Sequence, residues 1–247
     1  MKRSQFRGLL FYTTFLFFLT SCGGGENKEE STTDSNTATS TNTTPATQEV
    51  NTIITTPQPM MVVTHRVANF AKWIASYDAH DSMRLANGIH SYIIGRGMQD
   101  TNAVLVAVKV DDIAKAKAFA KDPSLKKAME KGGVTGAPTI LFTTITWQDT
   151  AQVSTDLRSR SMITVKDWAT WQKAYTDSKQ ERMDNGIIDR AYGHDADDDK
   201  KVTMITAVVD TAKAFAYYKS DALKKRREEA GVIGEPKRLL YRVVKRY

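Results

Sequence analysis

Two stretches of this chain carry the same order of apolar and polar positions. Met61–Val67 and Arg160–Val165 are rich in β-branched residues and read as strands. Each is followed by Asn69 or Asp167, whose short side chains suit the N-cap of a helix. Phe70, Trp73 and Tyr77 then recur at helical spacing, as do Trp168, Trp171 and Tyr175, which predicts one buried aromatic stripe per helix. Gly88 and Gly186 stand at the expected helix exits. Two strands follow in each half, Ile89–Arg96 with Ala103–Val110, and Ile187–His194 with Lys201–Val209, around turns rich in Gly, Asn and Asp. Asp112 and Asp210 then cap an Ala-rich helix, and Thr139–Thr146 and Lys237–Lys245 are the closing strands.

The two halves align at an offset of 98 residues, without a gap from Val67 to Leu141. Trp73 meets Trp171, and Tyr77 meets Tyr175. Arg84-x-x-Asn87-Gly88-Ile89 meets Arg182-x-x-Asn185-Gly186-Ile187. Gly95 meets Gly193, and Gly133-Val134-x-Gly136-x-Pro138 meets Gly231-Val232-x-Gly234-x-Pro236. So many identities on one diagonal establish an internal repeat. The order in each copy is β-α-β-β-α-β, a ferredoxin-like plait. The fold class expected is α+β, with repeat 1 over 59–146, a connector over 147–158 and repeat 2 over 159–247.

The N-terminus breaks this pattern. Lys2, Arg3 and Arg7 precede an apolar run from Gly8 to Leu19, which at about 1.5 Å per residue is too short to span a bilayer core of about 30 Å. Residues 1–21 therefore read as a signal peptide. Leu19-Thr20-Ser21-Cys22 resembles the lipobox of bacterial lipoproteins, which implies cleavage before Cys22 and lipidation of its thiol. Residues 22–58, mostly Gly, Ser, Thr, Asn, Pro and Glu, read as a flexible tether. Glu26, Lys28, Glu29 and Glu30 fit either the start of that tether or an acidic surface-export tag. The localisation expected is the cell envelope, anchored to the outer membrane and facing the periplasm or the cell surface.

Composition adds little. The hydrophobic fraction of 41% and charged fraction of 26% suit a globular protein, and the single cysteine excludes an internal disulfide. Loss of the signal lowers the net charge from +7 to +4, which removes the case for nucleic acid as a partner.

The residues His65-x-Val67-x-Asn69-Phe70-x-x-Trp73-x-x-x-Tyr77-Asp78, with Arg84, Gly88 and the Gly133-to-Pro138 motif, resemble the dimeric α/β-barrel superfamily. Within it, the nearest group is that of small domains akin to antibiotic-biosynthesis monooxygenases. The resemblance covers 61–145 and 159–247. It implies two plaits packed sheet to sheet as an intrachain pseudo-dimeric α/β barrel, so that a monomer suffices. It also admits a cofactor-independent monooxygenase acting on an aromatic or polyketide-type substrate held between sheet and helices. The Asn, Trp and His arrangement of haem-degrading members cannot be placed on this chain, and no cofactor is identified.

Candidate chemistry is sparse. His65, His80 and His90 lie in repeat 1, and His194 lies in repeat 2 opposite Arg96. His65, Arg96 and His194 are the catalytic candidates, with His65 expected on the first strand beside Val63 and Val67. Tyr92, Ile94 and Arg96 should share one strand face, as should Arg190, Tyr192 and His194. Tyr92, Arg190 and Tyr192 are accordingly the ligand-binding candidates. Arg84 and Arg182 suit helix-end ion pairs, with an anion clamp as the alternative. No metal-ligand spacing is present, and Asp195, Asp197, Asp198 and Asp199 lack the glycine and distal glutamate of a calcium loop. The Lys224–Arg227 cluster, offset by Glu228 and Glu229, reads as a solvated helix face. The function expected is a small-molecule or partner binding module, with the monooxygenase as the alternative.

Overall fold

The structure is a computed structural model that describes residues 51–247. The signal peptide, Cys22, the acidic residues behind it and the tether up to residue 50 lie outside the described residues. Among the described residues, the chain runs β1 (Ile53–Ile54), β2 (Gln58–Val67), α1 (Phe70–Ala79), α2 (Asp81–Leu85), β3 (Ile89–Gly97), β4 (Ala103–Val110), α3 (Ile113–Phe119), α4 (Pro123–Lys131) and β5 (Val134–Asp149). The second half runs β6 (Leu157–Val165), α5 (Trp168–Asp177), α6 (Lys179–Asp184), β7 (Ile187–Asp195), β8 (Lys201–Val208), α7 (Thr211–Tyr218), α8 (Asp221–Glu229) and β9 (Val232–Arg246).

The four expected N-caps form. Asn69 accepts from the Lys72 amide at 2.9 Å, Asp112 from Lys115 at 2.8 Å, Asp167 from Thr170 at 2.8 Å and Asp210 from Lys213 at 3.0 Å. Each satisfies an amide that the first helical turn leaves open. The aromatic stripes bury as expected, with Trp73 and Trp171 almost fully covered between helices and sheet. Each long helix breaks once, at His80 and at Ser178.

The sheet order is β1-β5-β2-β4-β3-β9-β6-β8-β7, and β7 returns to β5. Eight strands therefore close a barrel, while β1 adds two residues along the end of β5. Each half keeps the plait order of fourth, first, third and second strand. Two antiparallel seams join the halves, β3 to β9 and β5 to β7. A four-stranded sheet with helices on one side leaves its other side bare, and here each half covers the other. Val62 and Leu105 of repeat 1 pack with Tyr241 and Val243 of repeat 2 inside the barrel.

Both seams require a residue without a side chain. A Cβ on Gly193 would lie 2.0 Å from the Thr144 carbonyl oxygen, and one on Gly95 would lie 2.2 Å from the Tyr241 ring. These glycines are equivalent at the 98-residue offset, so the repeat preserves the positions where the halves approach most closely.

Two boundaries differ from those read from composition. Ile53 and Ile54 pair with Asp149 and Gln148, and β2 starts at Gln58, so the segment from 53 to 58 is folded rather than tether. The link between the halves outside strands shortens to residues 150–156, because β5 runs on to Asp149 and β6 starts at Leu157.

Candidate functional site

Alternation decides which side chains enter the barrel. On β2, Met61, Val63, His65 and Val67 face the helices, so Met60 and Val62 face inward. On β6, 98 residues on, Arg158 and Arg160 hold the equivalent inward places. The interior holds a cavity of about 390 Å³, within the range of about 300–1,000 Å³ usual for small-molecule sites. The link between the halves borders it, where Thr150, Ala151, Gln152, Val153, Thr155 and Asp156 all line the cavity.

The two walls differ in chemistry. Repeat 1 contributes mainly apolar side chains, Met60, Val62, Ile93 and Leu105, with Tyr92 and Thr143, whereas repeat 2 adds all four arginines, Arg158, Arg160, Arg190 and Arg246, to the apolar Ile205 and Val243. Arg158 spends Nη1 on the carbonyls of Thr155 at 2.6 Å and Leu157 at 3.0 Å. Arg190 reaches Asp149 at 3.3 Å and donates to the Ala151 carbonyl. Arg160 is different. It is only 5% exposed, its Nε has no hydrogen-bond partner, and its Nη2 contacts only the weak acceptor Met162 Sδ at 3.0 Å. Among the described residues it forms no ion pair with a carboxylate.

Electrostatics follow from this burial. Loss of water lowers the Arg160 guanidinium from its ordinary pKa, and Tyr241 is the one neighbour that opposes the shift. Burial also lowers Arg158 and Arg190, with Tyr241 and Asp149 respectively the strongest opposing groups. Guanidinium groups remain charged at neutral pH even so. Burial raises the Tyr241 hydroxyl to about 12, against the pull of Arg158, Arg160 and Arg246. The cavity thus holds four arginines and two aspartates, Asp149 and Asp156, one of which already serves Arg190. Fixed positive charge without a full complement of partners is what an anionic ligand needs.

The sequence-derived candidates separate onto two sides of the sheet. Tyr92 and Arg190 line the cavity, and the Tyr92 hydroxyl accepts from Gln148 Nε2. Tyr192 does not join them. It packs among Trp147, Trp168, Trp171 and Tyr175 on the helix side. His194 stacks edge-on against Trp168 at 4.9 Å, and Arg96 lies over Phe70 at 4.3 Å, both also on the helix side. The expected shared faces hold for Ile94 with Arg96 and for Tyr192 with His194, and fail for Tyr92 and Arg190. The cause is one extra residue in each second strand. Ser91 pairs with Val108 and Ile93 with Ala107, leaving Tyr92 as the bulge, and Asp189, Arg190 and Ala191 repeat this against Thr206 and Ile205. A bulge reverses the parity of every residue beyond it.

His65 sits as expected beside Val63 and Val67, but that side faces Trp73, at 5.3 Å between ring centroids, and not the barrel. Both ring nitrogens are buried without partners, and burial lowers its pKa to about 4. The helix-side clefts, about 80 Å³ beside His65 and about 90 Å³ in repeat 2, are small. His80 bonds the Ser76 carbonyl and His90 meets Asp111, so the four histidines form no cluster. Among the described residues no group of three metal-binding side chains assembles.

Arg84 and Arg182 are buried in ion pairs, to Asp81 at 2.9 Å and to Asp189 at 2.6 Å, each flat against the tyrosine seven residues earlier. The ion-pair alternative is the one realised.

Arg158, Arg160, Tyr241 and Arg246 escaped the sequence reading. Extending the repeat diagonal seven residues upstream of Val67 would have set Arg158 and Arg160 against Met60 and Val62. That contrast was the available signal.

No protein-family model matches the chain, and no curated protein matches it. Solved structures do. A provisionally named monooxygenase from Fusobacterium nucleatum aligns at 13% identity and a TM-score of 0.51, over 76% of this chain and 93% of that one. An anthrone oxidase-like protein aligns at 13% identity and 0.55, over 78% and 94%. A provisionally named chlorite dismutase aligns at 14% identity and 0.50, over 76% and 96%. Likeness at such identities concerns fold alone, and matches of this length span both halves. The chain therefore has the dimeric α/β-barrel fold, with one polypeptide supplying both ferredoxin-like halves.

Proposed function

We propose that the barrel is a small-molecule binding module for a ligand that carries an anionic group. The observation that supports this is Arg160. An unpaired buried ion costs several kcal/mol, and repeat 1 fills the equivalent place with Val62, so the fold does not need a charge there. A cost with no structural return marks a site kept for a ligand. Native mass spectrometry of the purified full chain tests the reading. An anionic small molecule should copurify with the wild type and be lost from the double variant Arg158→Met, Arg160→Val, which installs the residues of repeat 1. Equal retention by a folded variant sinks the proposal.

A second reading is the cofactor-independent monooxygenase acting on an aromatic or polyketide-type substrate. His65 supports it, with two unpartnered nitrogens beside a helix-side cleft, although that cleft is far below the size of a usual substrate pocket. Oxygen uptake with quinol substrates, abolished in His65→Ala, would establish this activity, and we expect no uptake.

We also read the chain as lipid-anchored through Cys22 to the outer membrane, facing the periplasm or the cell surface, and monomeric because the barrel closes within one chain. Labelled palmitate should enter the wild type and not Cys22→Ser; labelling of both removes the anchor from that position.

A further inference from the structure

The anion-binding reading leaves the rest of the ligand undescribed, and the cavity walls supply it. Equivalent inward positions of the two repeats have diverged at four places, while Ile93, Ala107 and Ile145 keep apolar counterparts in Ala191, Ile205 and Val243. At the 98-residue offset Met60 corresponds to Arg158, Val62 to Arg160, Leu105 to Thr203 and Tyr92 to Arg190. The result is a lateral polarity, with all four arginines on the repeat 2 side of the space and Met60, Val62 and Leu105 on the repeat 1 side. Resting on that reading, we propose that the ligand is a compact organic carboxylate with an apolar body. It lies across the barrel with its head on the arginines of repeat 2 and its body against Met60, Val62 and Leu105.

Three observations carry this beyond simple anion capture. A hydrated inorganic anion makes no use of an apolar wall, whereas an apolar body buried there is driven out of water. The planar guanidinium fork matches a carboxylate, and Arg160, which lines the cavity, keeps its buried Nε without a partner. Thr143, whose buried hydroxyl also lacks a partner, lines the same space from β5. The volume limits length, since about 390 Å³ bordered by residues 150–156 suits a ring system or a branched acid better than an extended chain. The bonds of Arg158 to Thr155 and of Arg190 to Ala151 hold both side chains in place before a ligand arrives, so little ordering is left for binding.

Calorimetric titration of the full chain with 2-naphthoate, its uncharged amide 2-naphthamide, acetate and inorganic phosphate tests the proposal. Naphthoate is expected to bind at least about tenfold more tightly than each of the other three, and Arg160→Val to weaken it by about tenfold or more. Leu105→Thr, which carries the repeat 2 residue, should narrow the preference for naphthoate over acetate. Acetate or phosphate binding as well as naphthoate overturns the apolar-body inference and leaves the anion reading standing. The amide binding as well as naphthoate overturns both. Failure of naphthoate to bind overturns the inference, and failure of all four counts against the anion reading too.

Discussion

Replacing His65 with isoleucine should make the protein less sensitive to acid. Repeat 2 carries Ile163 at the equivalent place, 8% exposed, so the pocket shape tolerates the change. Burial lowers the folded pKa of His65 to about 4, against 6.5 for a solvated histidine. The folded pKa lies below the unfolded one, so between these values the unfolded chain binds more protons. Stability therefore falls as the pH drops from about 6.5 toward 4, and this group contributes nothing to pH dependence above that window. At about 1.36 kcal/mol per pKa unit, the loss attributable to His65 is about 2 kcal/mol at pH 5 and about 3 kcal/mol at pH 4. Carboxylates also titrate in this range, but they are common to both proteins and cancel in the difference. Urea unfolding of wild type and His65→Ile at pH 7, 5 and 4, read at matched m-values, gives that difference directly. At pH 7 the variant should be at least as stable, because two unpartnered buried nitrogens are removed. A stability difference that stays constant from pH 7 to pH 4 would refute the reasoning.

Two further substitutions probe the frame that holds the cavity. Asp189→Asn leaves Arg182 buried opposite a neutral group and should cost about 3–5 kcal/mol, while Asp81→Asn, whose carboxylate is 47% exposed, should cost about 1 kcal/mol or less; equal losses in urea titrations would remove the distinction. Gly193→Ala drives a Cβ into the Thr144 carbonyl and should cost at least about 3 kcal/mol, with faster hydrogen exchange confined first to the β5–β7 seam. Gly95→Ala meets the Tyr241 side chain and not backbone and should do less damage, so unaltered exchange in Gly193→Ala would show that this seam does not depend on close approach.

Much of the architecture was written in local chemistry. The four N-caps, the aromatic stripes and the 98-residue repeat come from short-range residue preferences and from comparing the chain with itself, and they suffice to imply two plaits with bare faces to cover. The caps, the covered faces and the barrel all appear in the structure. The interior did not follow in the same way. A strand with water on one side advertises its orientation through alternation, but these strands have helices on one side and the barrel interior on the other, so both faces are buried. Seven of the nine residues of β6 are buried, Arg158 and Arg160 among them, and periodicity there says that the two share a face without saying which. The bulges at Tyr92 and Arg190 removed the remaining guide, because one unpaired residue moves Tyr192 and His194 to the helix side while leaving their sequence spacing unchanged. Spacing along a chain is local, whereas the inward side of a closed sheet is set by contacts between residues a hundred positions apart, and only the tertiary structure could bring the arginines of repeat 2, the apolar side chains of repeat 1 and residues 150–156 around one space.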